Sequence, residues 1–520
     1  MLDRYLETSI QNKLQFFYLL RAQTQVSTKE IKDLLQTSLA NVMSFLNELS
    51  DHLYGLAEIT IQDSYIFFSV YENVSFLELL HAIYSDSNIL HCLHFLITNT
   101  DELPFSAFME QYFLSKSSAY RIRENCIHYL HHVGLDIHHN QIAGEEYRIR
   151  FLIALLYYKY GLDCCGIDEA STSLARTFIL STNQAIDRNF LDHSVEEYGF
   201  FECLLILTWK RKDHSSPVPP SEDLDQLKDL FTYRKIKKCF QNVVEKELST
   251  DFSDDDYDYL FLAYCCTNNC VPTDKWTFGD IRQVHDIVFS QPAFSDLLHR
   301  LGKKFGNRIM NCRQLKATLI YFYKKCLMEL QCLIPNKHFY LQCTNSDLLL
   351  AIKDCLADIL EDWKQTQHIQ YEIDPGHILY LSTQLGAVLC QLINPIPLLI
   401  VSDIISEIES IHLLLSRVFS PVRVTIIPFC LNAQPLSLLR SHKNSIILVY
   451  KKFDHLISEI GIPDSNVILP VTTEMTSSDI ESIRKAVLHH EISDSFRLLK
   501  LSEAEQNEQD CFEFPNSLNP

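Results

Sequence analysis

The chain has 520 residues, of which 47% are hydrophobic and 21% are charged, so it can form several hydrophobic cores, and its length favours about three to five domains. Its 12 glycines fall at positions that cannot form a dinucleotide-binding fingerprint, a P-loop or a nucleophile elbow, which excludes those nucleotide and hydrolase sites. The formal net charge of −21 would repel a polyanion if it were spread evenly, so any nucleic-acid binding must be local.

The first 72 residues are predicted to form a winged helix-turn-helix. Apolar residues recur at helical spacing within residues 10–21, and Ser27 to Glu30 has the Ser-x-x-Glu form of a capping box that would begin a second helix. A third apolar stripe spans residues 42–49, and the alternation over residues 56–69 is typical of a hairpin. Ser38 and Asn41 are the candidate DNA contacts of this unit.

Residues 73–147 repeat the same order, which predicts a second helix-turn-helix. One helix is expected over residues 88–97, Pro104 is expected to open a second, and a third covers residues 117–133 and ends at Gly134. Residues 135–144 are predicted to form the wing.

A local excess of positive charge marks this second unit. Residues 115–133 contain three basic residues and one acid, and the basic residues lie at the start of the helix that would enter the major groove. Arginine can read guanine, and Ser, Tyr and Lys can hold phosphates. The predicted DNA contacts are Lys116, Ser117, Ser118, Tyr120, Arg121 and Arg123. Arginines on an exposed helix are also ordinary solvated residues, so the charge alone leaves both interpretations open.

Five histidines lie on the same helix and wing, at positions 128, 131, 132, 138 and 139. No carboxylate or cysteine completes a metal-ligand pattern with them, and a surface rich in imidazole is the more favoured interpretation. We therefore predict no metal and no cofactor. Nothing in the sequence places a nucleophile, a base and an anion site together, so an enzyme is the weakest hypothesis.

The rest of the chain is predicted to be helical up to about residue 394 and α/β beyond it. The predicted domains are residues 148–272 and 273–394, both helical, residues 395–500 with a partly parallel sheet, and an acidic disordered tail over residues 501–520. The uncharged stretch 378–401 is interrupted by prolines and predicts a buried helix and strand rather than a membrane span. No secretory signal is recognised, and a cytoplasmic location without membrane contact is expected. The fold class is thus mainly α and multidomain.

Two segments of the second unit carry a family resemblance. Residues 113–121 read FLSKSSAYR and residues 142–150 read IAGEEYRIR, and both resemble the Mga family of streptococcal virulence regulators, more closely its RofA-like branch with RofA and Nra. The segments at residues 6–10, 150–157 and 208–211 support that branch. The similarity extends in order over almost the whole chain and weakens toward its end.

This resemblance implies a transcriptional regulator with two helix-turn-helix units, two regulatory domains of the phosphotransferase-system type (PRDs) and a C-terminal domain like the EIIB component. It further implies that the second helix-turn-helix dominates DNA binding and that adhesin and pilus genes are the targets. Regulatory domains of this type are phosphorylated on histidine, for which His193 and His285 are candidates, although ordinary helix-face histidines are the more favoured interpretation. EIIB enzymes carry a phosphoacceptor cysteine after their first strand, whereas Ser402 and Asp403 stand here, so this domain is expected to mediate association.

The resulting hypothesis is a sequence-specific regulator that binds double-stranded promoter DNA as a homodimer or higher oligomer. A phosphocarrier protein of the phosphotransferase system is a candidate partner, since phosphohistidine would add negative charge to helical interfaces. The alternative is an interaction scaffold whose winged helices bind protein, which the net acidity would favour. The salt dependence of binding distinguishes the two.

Overall fold

The computed structural model describes most of the chain. The described residues are 2–23, 25–34, 37–186, 198–214, 218–267, 278–306, 312–335, 347–369, 371–392, 394–453, 461–472 and 474–504. They divide into two compact bodies, of which the first contains residues 1–297, 317–345 and 356–381 and the second contains residues 298–316, 346–355 and 382–520. Each helix-turn-helix region is one unit, and both units lie in the first body.

The first body begins with the predicted winged helix-turn-helix. A 3-10 turn at Leu2–Tyr5 leads into the helices α1 Thr8–Ala22, α2 Thr28–Leu34 and α3 Leu39–His52 and the strands β1 Val26–Ser27, β2 Ala57–Gln62 and β3 Tyr65–Val70. The hairpin is antiparallel, with Ala57 opposite Val70, and β1 pairs with the other edge of β3. This order, β1-β3-β2, is that of a wing with its added edge strand, and the prediction for this unit is confirmed.

The second helix-turn-helix follows directly. Its elements are α4 Phe76–Tyr84, α5 Asn88–Thr98, α6 Phe105–Gln111, α7 Lys116–His132, β4 Leu135–His138 and β5 Gln141–Gly144. The predicted helix order and wing are confirmed, and Pro104 is the N-cap of α6. Helix α4 was not predicted: its nine residues are apolar on nearly every side, and Leu79, Leu80, Ile83 and Tyr84 are buried.

The central region is helical, as predicted. Its helices are α8 Glu146–Tyr160, α9 Glu169–Ile186, α10 Gly199–Lys210, α11 Glu222–Lys228, α12 Phe231–Phe240, α13 Lys246–Leu248, α14 Asp254–Thr267, α15 Phe278–Ser290, α16 Pro292–Phe305, α17 Arg313–Cys326, α18 Asp347–Thr366 and α19 Pro375–Leu392. Within the first body, α8 and α14 pack on α10, and α9 packs on α12. Most residues of α8, α10 and α14 are buried, as expected of helices at the centre of a bundle.

The second body contains the small α/β domain. Its elements are β6 Ile396–Ser402, α20 Ile405–Val418, β7 Val424–Cys430, β8 Ile446–Tyr450, β9 Val467–Val471 and α21 Ser477–Ala504. The sheet order is β7-β6-β8-β9 and all three pairings are parallel. The sheet predicted as partly parallel is therefore fully parallel in the described residues. Both faces of β6 and β8 are buried, in two separate clusters, as parallel strands require.

Two further expectations concern the acidic tail and the uncharged stretch 378–401. Helix α21 runs through Ala504, so the first four residues of the predicted acidic tail are helical, and the rest of that tail lies outside the described residues. The stretch predicted as a buried helix and strand forms α19 and β6. Within the described residues, no helix is both long and apolar enough to cross a membrane.

Candidate nucleic-acid interface

Helix α7 is the recognition helix of the second unit, and its sequence explains its limits. The hydroxyl of Ser115 caps the helix by accepting a hydrogen bond from the Ser118 N–H at 3.2 Å. Gly134, with φ +73°, ends it in the left-handed conformation that glycine allows. The buried face is an apolar stripe at helical spacing that holds Ala119, Ile122, Cys126, Tyr129 and Leu130.

Four of the six predicted contacts of this unit lie on the exposed face of α7. Lys116, Ser117, Tyr120 and Arg121 are all exposed. Neither Lys116 nor Arg121 forms an ion pair in the part of the chain that the structure describes, so both charges are available to an outside ligand. A basic, polar surface at the start of a helix is the arrangement that major-groove recognition requires.

The other two predicted contacts of α7 have partners inside the protein. The half-buried Arg123 places its guanidinium carbon 5.7 Å from the centre of the Phe105 ring, and its Nε is buried without a hydrogen-bond partner. Ser118 receives a hydrogen bond from Ser115 Oγ at 2.9 Å. Arg123 therefore joins α7 to α6, and Ser118 belongs to the helix cap.

The wing β4–β5 is tied to the rest of the second unit. The Asn99 amide donates to the carbonyls of Leu103 and Asn140, at 3.0 and 3.1 Å. At the other end of the hairpin, His131 lies 3.1 Å and His138 3.9 Å from the carboxylate of Asp136. The Ile137 N–H and the His131 ring both lower the pKa of Asp136. The described residues contain no group of three or more side chains that could hold a metal ion.

The corresponding helix of the first unit, α3, has different chemistry. Ser38 is its N-cap and accepts from the Asn41 N–H at 3.2 Å, and the Asn41 amide donates to Thr37 Oγ1 at 2.9 Å. Both predicted residues are exposed, but both take part in the cap. Helix α3 contains no Lys or Arg and two acids, Glu48 and Asp51.

A buried ion cluster joins the wing to the helical bundle. Glu146, at the start of α8, accepts hydrogen bonds from Arg150 at 3.1 Å and from Arg211 at 2.6 and 2.8 Å. Arg150 also donates to the carbonyls of Arg211 and His214. Glu146 and Arg150 are buried and Arg211 is half-buried, so this one carboxylate is the anionic partner of two guanidinium groups.

A second set of contacts joins the end of α7 to Met328, Glu329 and Glu372, which all belong to the first compact body. Arg148 donates to the carbonyls of Val133 at 3.3 Å and Met328 at 3.1 Å, and to the Glu329 carboxylate at 3.3 Å. Arg4 forms an ion pair with Glu372. The end of α7 is thus attached to the helical region at two points, through the Val133 carbonyl and through the ring of His132, which lies 3.2 Å from the Arg4 guanidinium.

His377 lies at the centre of that same region and is fully buried. Its Nδ1 is 3.0 Å from the amide nitrogen of Gln331, and its Nε2 is 3.3 Å from the carbonyl of Ile334. Burial, together with the nearby charge of Lys325, lowers the pKa of His377 to about 3.

The pKa of His377 predicts an acid-sensitive fold. The folded pKa is below the unfolded value of about 6.5, so the neutral imidazole contributes fully to the free energy of unfolding above pH 6.5. This contribution is lost progressively as the pH falls toward 3, and the loss at pH 5 is about 2 kcal/mol. Urea unfolding at pH 7 and pH 5 measures it. We expect His377→Gln to reduce the loss on acidification; an unchanged pH slope would contradict the assignment.

The structure describes the backbone of only one of the two predicted regulatory histidines. His193 lies outside the described residues. The backbone of His285 is part of α15, but its side chain is outside the described residues too.

The residue at the end of the first strand of the α/β domain has a buried hydroxyl. Ser402 ends β6, donates to Glu407 at 2.7 Å and accepts from the Ile404 N–H at 3.1 Å. Cys430 ends the neighbouring strand opposite Ser402. The hydroxyl is thus fully engaged inside the domain.

The sequence patterns did not predict the residues that connect the DNA-binding region of the first body to its helical region. Glu146 and Arg150 are four residues apart on one helix, a spacing that could have indicated an ion pair. Arg148, Met328 and Glu372 are distant in sequence, and no local signal connects them.

Two comparisons with protein families match this arrangement. The model described as the Mga helix-turn-helix domain matches residues 72–157, which cover the second unit and the start of α8. The model described as the M protein trans-acting positive regulator (MGA) PRD domain matches residues 176–383. A search of curated proteins finds no significant match. With both matches in order and more than half of the residues covered, the chain belongs to the Mga family and is a DNA-binding transcriptional regulator with a PRD-type regulatory region.

Proposed function

We propose that this regulator binds double-stranded promoter DNA chiefly through the exposed start of α7. The observation that carries the proposal is the contrast between the two recognition helices: α7 has three basic residues and one acid, whereas α3 has two acids and no basic residue. Phosphate neutralisation supplies much of the affinity for DNA. Lys116, Ser117, Tyr120 and Arg121 are the direct contacts, and Arg123 and Ser118 support them.

The first unit has a secondary role in this proposal. Ser38 and Asn41 lie at the exposed start of α3, where hydroxyl and amide groups can contact phosphates. Without a basic residue on α3 such contacts position the protein and add little affinity.

The regulatory region acts, we infer, through the contacts at the end of α7. In this proposal residues 148–272 and 273–394 are the two PRDs, a phosphocarrier protein phosphorylates them on histidine, with His193 and His285 as candidates, and the added charge alters their packing. Arg148 and the Arg4–Glu372 pair then transmit the change to the DNA-binding part.

Arg148→Ala tests that connection. Its guanidinium holds Val133, Met328 and Glu329 together, so its loss is expected to raise amide hydrogen exchange at residues 131–135 and 328–330 by about tenfold, the equivalent of one or two hydrogen bonds. Arg121→Ala, which removes an exposed arginine from α7, is the matched control. Unchanged exchange at both segments would show that Arg148 does not couple them.

The finer assignment rests on the family resemblance. We propose a cytoplasmic RofA-like regulator of virulence, adhesin and pilus genes that works as a homodimer or higher oligomer, with residues 395–500 as an EIIB-like association domain. The internal hydrogen bonds of the buried Ser402 argue against phosphate transfer at this position.

Chromatin immunoprecipitation with sequencing tests the proposed function directly. The expected result is enrichment of a small set of promoter regions, including adhesin or pilus genes, that disappears with Arg121→Ala. Enrichment of no DNA, together with recovery of a stable protein partner, would favour the scaffold alternative.

A further inference from the structure

The turn between α6 and α7 contains an aromatic residue in a conformation that favours glycine. Phe113 has φ +51°. Its N–H donates to the carbonyl of Glu110 at 3.4 Å, and the next N–H, of Leu114, donates to Met109 at 2.9 Å. These two bonds form the Schellman ending of a helix, in which the residue at this position is usually glycine because a β-carbon is strained there.

No contact with another described residue offsets that strain. The Phe113 side chain is 95% exposed, so neither burial nor packing against a neighbour stabilises it. Among the described residues with positive φ other than glycine, Phe113 is the one with a phenyl or phenol ring; most of the others carry polar side chains. Strained residues whose cost is not repaid locally are concentrated at functional sites.

The surroundings of Phe113 indicate what it contacts. Two residues later the cap of α7 begins, followed by the exposed Lys116 and Ser117. Tyr120, one turn into the helix, is 51% exposed, with its ring edge-on to Phe105 at 5.8 Å. Exposed rings therefore flank the basic helix start in sequence, and a surface of this composition fits a partner that combines negative charge with an apolar group.

The major groove of DNA offers that combination, since thymine presents a C5-methyl group beside the phosphates. We propose that Phe113 contacts a thymine methyl group at the edge of the segment read by α7, and so adds a preference for thymine at one position of the DNA site. This inference rests on the proposed function, in which α7 enters the major groove.

The experiment uses the intact chain and a duplex selected by it from a random-sequence library. Each thymine of the selected duplex is replaced in turn by deoxyuridine, which removes the methyl group and leaves the base pairing intact. For the unmodified protein, one replacement is expected to lower the affinity about fourfold, the effect of losing one buried methyl group.

Phe113→Gly completes the test. We expect this variant to bind the selected duplex about tenfold more weakly, to lose its sensitivity to that one replacement, and to melt at the same or a higher temperature because glycine relieves the strain. Tyr54→Ala is the matched control: Tyr54 is an 89% exposed aromatic residue of the first unit, and its loss should change neither affinity nor the uracil effect.

The possible failures are distinguishable. If Arg121→Ala weakens binding and Phe113→Gly does not, the role of Phe113 is wrong and the proposed function stands. If Phe113→Gly weakens binding but remains sensitive to that one deoxyuridine replacement, the thymine contact is wrong. If the intact chain enriches no duplex at all, the proposed function fails and this inference fails with it.

Discussion

Replacing Arg121 with alanine is expected to lower the affinity of the chain for its DNA site about tenfold or more, the effect of losing 1–3 kcal/mol from one specific contact. The physical reason is that Arg121 is exposed and has no ion pair in the described part of the chain, so the substitution removes a contact to DNA and little else. The measurement is a titration of a selected duplex with the intact chain at fixed salt.

Two variants make this result specific. Arg417→Ala removes an exposed arginine from α20, in the C-terminal domain, and should leave the affinity unchanged. Arg123→Ala should lower the melting temperature, since Arg123 covers Phe105, and weaken binding less than Arg121→Ala does. Equal affinity of Arg121→Ala and the unmodified chain would remove α7 from the interface.

The largest effect on stability is expected from Glu146→Ala. Glu146 accepts hydrogen bonds from both Arg150 and Arg211, and Arg150 is only 3% exposed. Removing the carboxylate leaves buried positive charge without its partner, which typically costs about 3–5 kcal/mol. Because α8 follows the wing directly, the second helix-turn-helix should loosen from the bundle together with α8 and α10.

Glu145→Ala is the matched control for this prediction. Glu145 is the adjacent carboxylate, it is exposed, and its side chain makes no capping hydrogen bond. Urea denaturation compares the two variants, and hydrogen exchange of the α8 amides locates the change. If both variants unfold at the same urea concentration, the ion cluster does not hold this junction.

Local signals predicted the parts of the DNA-binding region well. The stripe Ala119, Ile122 and Cys126 has the helical period, and Gly134 marks the end of α7, because both properties depend on neighbours in sequence. Arg123 was assigned to DNA because it lies off the stripe. Its guanidinium instead turns back over Phe105 of α6, and the packing of a second helix decides that outcome.

Long-range arrangement was harder to predict. Arg148 contacts Met328, 180 residues away, and no periodicity records such a pair. The fully parallel sheet was predicted as partly parallel because strand direction is set by the crossover connections rather than by the composition of a strand. Phe113 was quoted as part of a family motif, but its positive φ and its exposure are visible only in three dimensions.

The central claim is that a small basic surface on α7 binds DNA in an otherwise acidic protein, and the salt dependence of binding tests it most directly. For the intact chain and its selected duplex, the logarithm of the association constant should fall linearly with the logarithm of the salt concentration. Lys116→Ala combined with Arg121→Ala should make that slope shallower by about one to two. Binding that does not depend on salt, or an unchanged slope in the double variant, would contradict the claim.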